Sequence, residues 1–154
     1  MSYRSLTAAM CLAALSLITG GCGSDTQSSN DYVSAINKVQ TNFATDVKKV
    51  GANQSGNDPA AAAKKTFTNL QAVIDKAVAD LKAVKPPDKV KDLHSQLVSE
   101  MTQFETQVKA AGQSLSAKDP NTIQTAQSKF AASASTLGNR IAQTIDAINA
   151  KLQD

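Results

Sequence analysis

Few residues in this 154-residue chain could do chemistry, and only one sits where chemistry is expected. The candidates are two thiols, Cys11 and Cys22, and a single imidazole, His94. A catalytic set needs a nucleophile, a base and a group that orients the base. His94 lies beside Leu93 and near Leu97, at the edge of an apolar helical stripe, which is a boundary position. Asp92 and Glu100 fall on other faces of that helix, so no metal-ligand cluster builds around His94. Met101 follows seven residues later on the same helix and cannot grip a haem iron from the opposite side. No inward pair of carboxylates arises from Asp75 or from Asp88 and Asp92, and no glycine-rich phosphate loop occurs. The expectation is a non-enzyme with no cofactor and no metal.

Cys22 is different because of what precedes it. A short basic start (Arg4) leads into an apolar stretch from Leu6 to Ile18, then the small residues Thr19, Gly20 and Gly21. These are the parts of an export signal. The stretch is too short to cross a bilayer, which takes about 20 residues, so it reads as a segment to be removed. A polar Gly23-Ser24-Asp25 run follows the cysteine. The region resembles the lipobox of bacterial lipoproteins, with Thr19 where an aliphatic residue is commonest. The resemblance implies a diacylglycerol thioether on Cys22, an acylated (palmitate-type) anchor, and cleavage before Cys22, with residues 1–21 as signal peptide. Gly21-Cys22-Gly23-Ser24-Asp25 is most similar to small helical lipoproteins of bacterial envelopes, those of high-GC Gram-positive (actinobacterial) organisms in particular. The implied location is extracytoplasmic, anchored to the cell membrane, or to the outer membrane if the host has two, because Gly23 carries no retention signal. Ordinary secretion with a free Cys22 thiol is the other outcome.

Cys11 disappears on processing, so the mature chain holds one capped cysteine and no disulfide. Removing 21 of 154 residues leaves 133, enough for one domain with a packed core. Without Arg4, 15 basic residues face 13 acidic ones. That balance is too mild to suggest a nucleic-acid partner.

Residues 22–30 contain nothing apolar beyond the cysteine and read as a lipidated, flexible tether. Four helical patterns follow, at about 31–50, 59–85, 88–116 and 120–152, each with apolar residues at steps of three and four. Asp58-Pro59 and Asp119-Pro120 are start signals: the carboxylate caps free N–H groups, and proline at the first helical position loses a donor that had no partner. Asp88 could cap the third helix in the same way. Pro86-Pro87 stops the second.

An offset of 61 residues aligns Phe43-x-Thr45-x-Val47-Lys48-x-x-Gly51 with Phe104-x-Thr106-x-Val108-Lys109-x-x-Gly112, each followed seven residues later by Asp-Pro. Beyond that point a further slip of two pairs Phe67 with Phe130. The pattern describes a duplicated helical hairpin, and the expected fold is all-α, an up-down-up-down four-helix bundle over 31–154.

The bundle would have a polarity. Starting from the lipid, the Pro86-Pro87 turn and the C-terminus fall at the membrane end, and the loops 51–58 and 112–119 at the distal end. Lys82, Lys85, Lys89 and Lys91 surround the membrane-end turn, partly offset by Asp88 and Asp92. They either contact anionic headgroups, at about 1 kcal/mol each, or form a solvated turn that complements a helix C-terminus. Phe43, Phe67, Phe104 and Phe130 should share one layer roughly 12–15 Å below the distal loops. That layer is either an aromatic core or the lining of an apolar ligand cavity.

Two functions follow. The leading one is a non-catalytic structural or interaction module. It presents Asn53, Gln54, Ser55 and Asn57, with Gln113 and Ser114, to an envelope protein or glycan. The alternative is a carrier of a small apolar ligand or lipid at the phenylalanine layer. The sequence leaves the oligomeric state undefined.

Overall fold

The computed structural model describes residues 24–52, 59–114 and 120–154. Four helices account for nearly all of them: α1 Ser24–Ala52, α2 Pro59–Ala83, α3 Lys91–Ser114 and α4 Pro120–Gln153. No strand occurs among the described residues. The fold is the expected all-α bundle, with α1 packed on α2, α2 on α3 and α3 on α4.

Each boundary has a local cause. Pro59 and Pro120 occupy first helical positions, where the missing N–H costs nothing. The second helix ends at Ala83, ahead of Pro86 and Pro87, with Val84 N–H donating to the Leu81 carbonyl at 3.1 Å. Pro87 is extended (φ −60°, ψ 151°), and a 3₁₀ turn, Asp88–Val90, precedes α3. That turn corrects the expected start at Asp88. The cap position is taken by Pro87, which has no side-chain acceptor, and the tightened turn drives Val90 completely into the core.

The tether reading is corrected at residues 24–30, which form the first two turns of α1. Apolar content was a poor guide here. Ser29 is buried at 7% exposure, because a small hydroxyl packs easily once it has a partner. Adding turns to an existing helix is also far easier than nucleating one.

The core draws Tyr32, Ile36, Val39 and Phe43 from α1, and Ile74, Ala77, Val78 and Leu81 from α2. Val90 joins Leu97, Met101, Phe104 and Val108 of α3, while among its described side chains α4 supplies Leu137 and Ile148 as fully buried apolar residues. The reason is an incomplete fourth seam. Among the described residues, α1 and α4 do not pack along their length. They face each other across Leu97, where Tyr32, Val33 and Ile36 look toward Ile145, Ile148 and Leu152 over a narrow slot. Phe130, Ala134, Ile141 and Ile145 therefore stay half-buried.

Each half closes on itself at the end that carries the α2–α3 connection. Lys89 Nζ, just before α3, donates to the Leu152 carbonyl near the end of α4 at 3.2 Å. Ser28 and Tyr32, at the start of α1, share a groove with Ala83, Val84 and Lys85 at the end of α2.

Candidate functional site

The side chains singled out from sequence distribute unevenly. Cys22, Asn53, Gln54, Ser55 and Asn57 lie outside the described residues, as do the capping positions Asp58 and Asp119. Gln113 is exposed in the last turn of α3, and the partly exposed Ser114 donates its hydroxyl back to the Ala110 carbonyl of the same helix at 2.9 Å. Such a back-bond satisfies the hydroxyl locally and takes it out of easy reach of a partner. Lys82, Lys85, Lys89 and Lys91 are exposed around the α2–α3 connection, interspersed with exposed Asp88 and Asp92.

Three of the four phenylalanines touch. Phe67 and Phe130 meet edge to face, with ring centroids 5.4 Å apart at 71°. Phe130 and Phe104 are nearly parallel at 6.3 Å. These are favourable ring geometries, and they bind α2, α3 and α4 into one layer. Phe43 is buried on α1 without such a ring contact. Gly112 lets α2 and α3 approach closely at this level: a Cβ on it would stand 3.3 Å from Phe67 Cβ. None of the four rings lines the open groove between α1 and α2 or the narrow slot between α1 and α4. The larger of these, about 560 Å³, is an open groove between α1 and α2 with Asp31, Lys38, Asp80 and Lys85 among its walls.

Two buried polar assemblies are new. The first joins α1, α2 and α3. Tyr32 Oη lies 3.2 Å from His94 Nδ1, and both residues are buried, the rings meeting edge to face at 5.6 Å. The Leu81 backbone lies within hydrogen-bonding influence of the imidazole. With the ring proton on the nitrogen away from Tyr32, neutral His94 accepts the Tyr32 hydroxyl at Nδ1. Burial lowers the His94 pKa, which the Leu81 bond partly opposes, and burial pushes the Tyr32 hydroxyl up to about 12. His94 is thus a buried junction rather than a boundary residue.

The second assembly joins α3 and α4. Glu100 is 1% exposed. Gln96 Nε2 donates to its Oε1 at 3.0 Å, and the Thr144 hydroxyl donates to its Oε2 at 3.0 Å. Gln96 also donates to Thr144 Oγ1 at 3.1 Å, and Arg140 Nε stands 3.6 Å from Oε1 with its own side chain half-exposed. The carboxylate is desolvated and compensated by two hydrogen bonds and a cation.

The sequence did hold a signal for this quartet. Under the repeat's own offsets, Gln96, Glu100, Arg140 and Thr144 correspond to Ala35, Val39, Ala77 and Leu81. All four apolar positions of one hairpin are polar in the other. Glu100 also stands three residues after Leu97 and four before Phe104, within the buried stripe.

No group of three or more potential metal-ligating side chains forms among the described residues, and no described helix is long and apolar enough to cross a membrane. Comparisons with family models, with curated proteins and with solved structures found no match.

Proposed function

We propose that the chain is a cell-envelope lipoprotein, anchored through a lipid on Cys22, that serves as a non-catalytic interaction module. Its partner is an envelope protein or glycan, met by the loops joining α1 to α2 and α3 to α4. The observation that carries this reading is the gathering of the α1 start, the α2–α3 turn and the end of α4 at one end, clamped by Lys89 and the Leu152 carbonyl. An anchor next to the first helix puts that end at the membrane, and antiparallel helices then carry the two loops to the far end. Packed rings of Phe67, Phe104 and Phe130 support a rigid scaffold behind those loops.

The test pairs two variants expressed in the native host. Replacing Asn53–Asn57 with Gly-Ser repeats should abolish cross-linked or co-purified partner while the helical circular dichroism stays intact. Partner capture that survives this change overturns the distal assignment. Cys22→Ser should release the protein from membranes, and mass spectrometry should show the loss of the acyl groups. Continued membrane retention without lipid overturns the anchor.

A further inference from the structure

We propose that the Tyr32–His94–Leu81 junction is an acid-sensitive latch that holds helix α1 against the remainder of the bundle. This goes beyond the anchoring role and stands independently of it. His94 is the only histidine of the chain and is buried where three helices meet, its Nδ1 facing the Tyr32 hydroxyl of α1 and its ring near the Leu81 backbone of α2. Neutral imidazole satisfies both partners with one donor and one acceptor. A second proton on the ring turns Nδ1 into a donor facing the Tyr32 O–H, so the hydroxyl must reverse and send its own proton elsewhere. The slot on the α4 side of Tyr32 is lined mainly by Ile145, Ile148 and Leu152, with Asn37 and Asn149 as its polar members. Protonation therefore leaves a charged ring in a buried site and removes the Nδ1 acceptor that the Tyr32 hydroxyl uses.

No charge nearby relieves this. Facing the junction are Tyr32 from α1 and the Leu81 carbonyl from α2. Asp31, Lys38, Asp80 and Lys85 line the groove on the outer side of Tyr32, two of each sign, and Lys91 and Asp92 precede His94 on α3. All of these reach solvent, and none contributes to the His94 shift, which comes from burial and the Leu81 bond. Helix α1 is the element positioned to respond. It packs along its length only on α2, and it lacks a continuous seam with α4. Losing the latch loosens the one helix that leads to Cys22.

The experiment is hydrogen exchange read by mass spectrometry on the full chain purified from its host in detergent, at pH 7.5, 6.0 and 5.0, corrected for intrinsic rates. The expected result is faster exchange in α1 below pH 6.5, by up to about tenfold per pH unit for one linked proton, with α3 and α4 unchanged. His94→Gln, which keeps a donor and an acceptor but cannot be charged, should flatten that dependence. Unchanged α1 protection across the range, equal loosening of all four helices, or the same slope in His94→Gln would each overturn the latch. If His94→Gln does not fold, NMR titration of the single histidine in the unaltered protein decides. A midpoint below 6.5 that moves Tyr32 signals supports the latch, and a midpoint at or above 6.5 removes it.

Discussion

The Thr144 hydroxyl donates to Glu100 Oε2 across the α3–α4 interface, joining residues 44 apart in sequence at 3.0 Å. Glu100 is almost fully enclosed, so this bond and the one from Gln96 stand in for water that the carboxylate has lost. Buried ion pairs of this kind seldom add net stability, because desolvation offsets most of the Coulomb attraction. They do make mispairing costly. In a chain built from two similar hairpins, a buried carboxylate in the α3–α4 seam, where α1–α2 has Val39 and Leu81, distinguishes the two.

Thr144→Val keeps the shape and removes the donor, so it should cost about 1–3 kcal/mol in urea unfolding. Replacing the whole quartet with its counterparts (Gln96→Ala, Glu100→Val, Arg140→Ala, Thr144→Leu) should be neutral or stabilising by up to about 4 kcal/mol. The same replacement should increase the fraction of dimer in analytical ultracentrifugation. A strongly destabilised, strictly monomeric quadruple variant would show that the network holds the fold rather than its pairing.

Tyr32→Phe strands His94 Nδ1 without its donor and should cost about 1–3 kcal/mol near pH 7.5. In the unaltered protein the pH dependence has a definite sign. His94 binds a proton less readily folded than unfolded, where its pKa is near 6.5. Its contribution is therefore complete above 6.5 and is lost as pH falls through the lower folded value. Denaturant midpoints between pH 5 and 8 measure this directly, and a midpoint that rises on acidification in that window contradicts it.

The phenylalanine layer should respond unequally. Phe104 is buried and Phe67 partly so. Phe104→Ala should cost about 3–5 kcal/mol, with Phe67→Ala toward or below the lower end. Equal and negligible losses would indicate a lining rather than a core.

Two helical glycines give a comparison that needs no partner. A Cβ at Gly138 meets nothing within 4 Å, so Gly138→Ala should raise stability by about 0.5–1 kcal/mol through helix propensity alone. At Gly112 the added carbon stands 3.3 Å from Phe67 Cβ, which lies too near the α2 backbone to swing aside. Gly112→Ala should gain less, or lose. Thermal melts followed at 222 nm separate the two.

What was legible in sequence was whatever repeats along one helix. Steps of three and four, with Pro59, Pro86, Pro87 and Pro120, place α2, α3 and α4 close to their observed bounds, while α1 starts about seven residues earlier than its apolar pattern indicates. Relations between helices were not legible. The offset marks Glu100 as a polar residue in an apolar stripe, but its partners Thr144 and Arg140 appear only when α4 is brought opposite it, and His94 reads as peripheral until Tyr32 covers it. The early start of α1 was missed for a related reason, since Ser29 is buried by its neighbours and not by its own polarity.

That early start bears on reach. A tether of eight flexible residues would let a domain wander about 16 Å from its anchor point. The described chain is already helical at Ser24, one residue beyond Gly23, so the Cα atoms of Cys22, which bears the proposed lipid, and Ser24 stand no more than about 7 Å apart in any conformation. The 29 residues of α1 then rise about 44 Å as a single piece. A body held this way pivots more than it drifts, and its tip sweeps a thin dome instead of filling a volume. The far loops would sample one altitude above the headgroups, and encounter would depend on a partner's own height from the membrane.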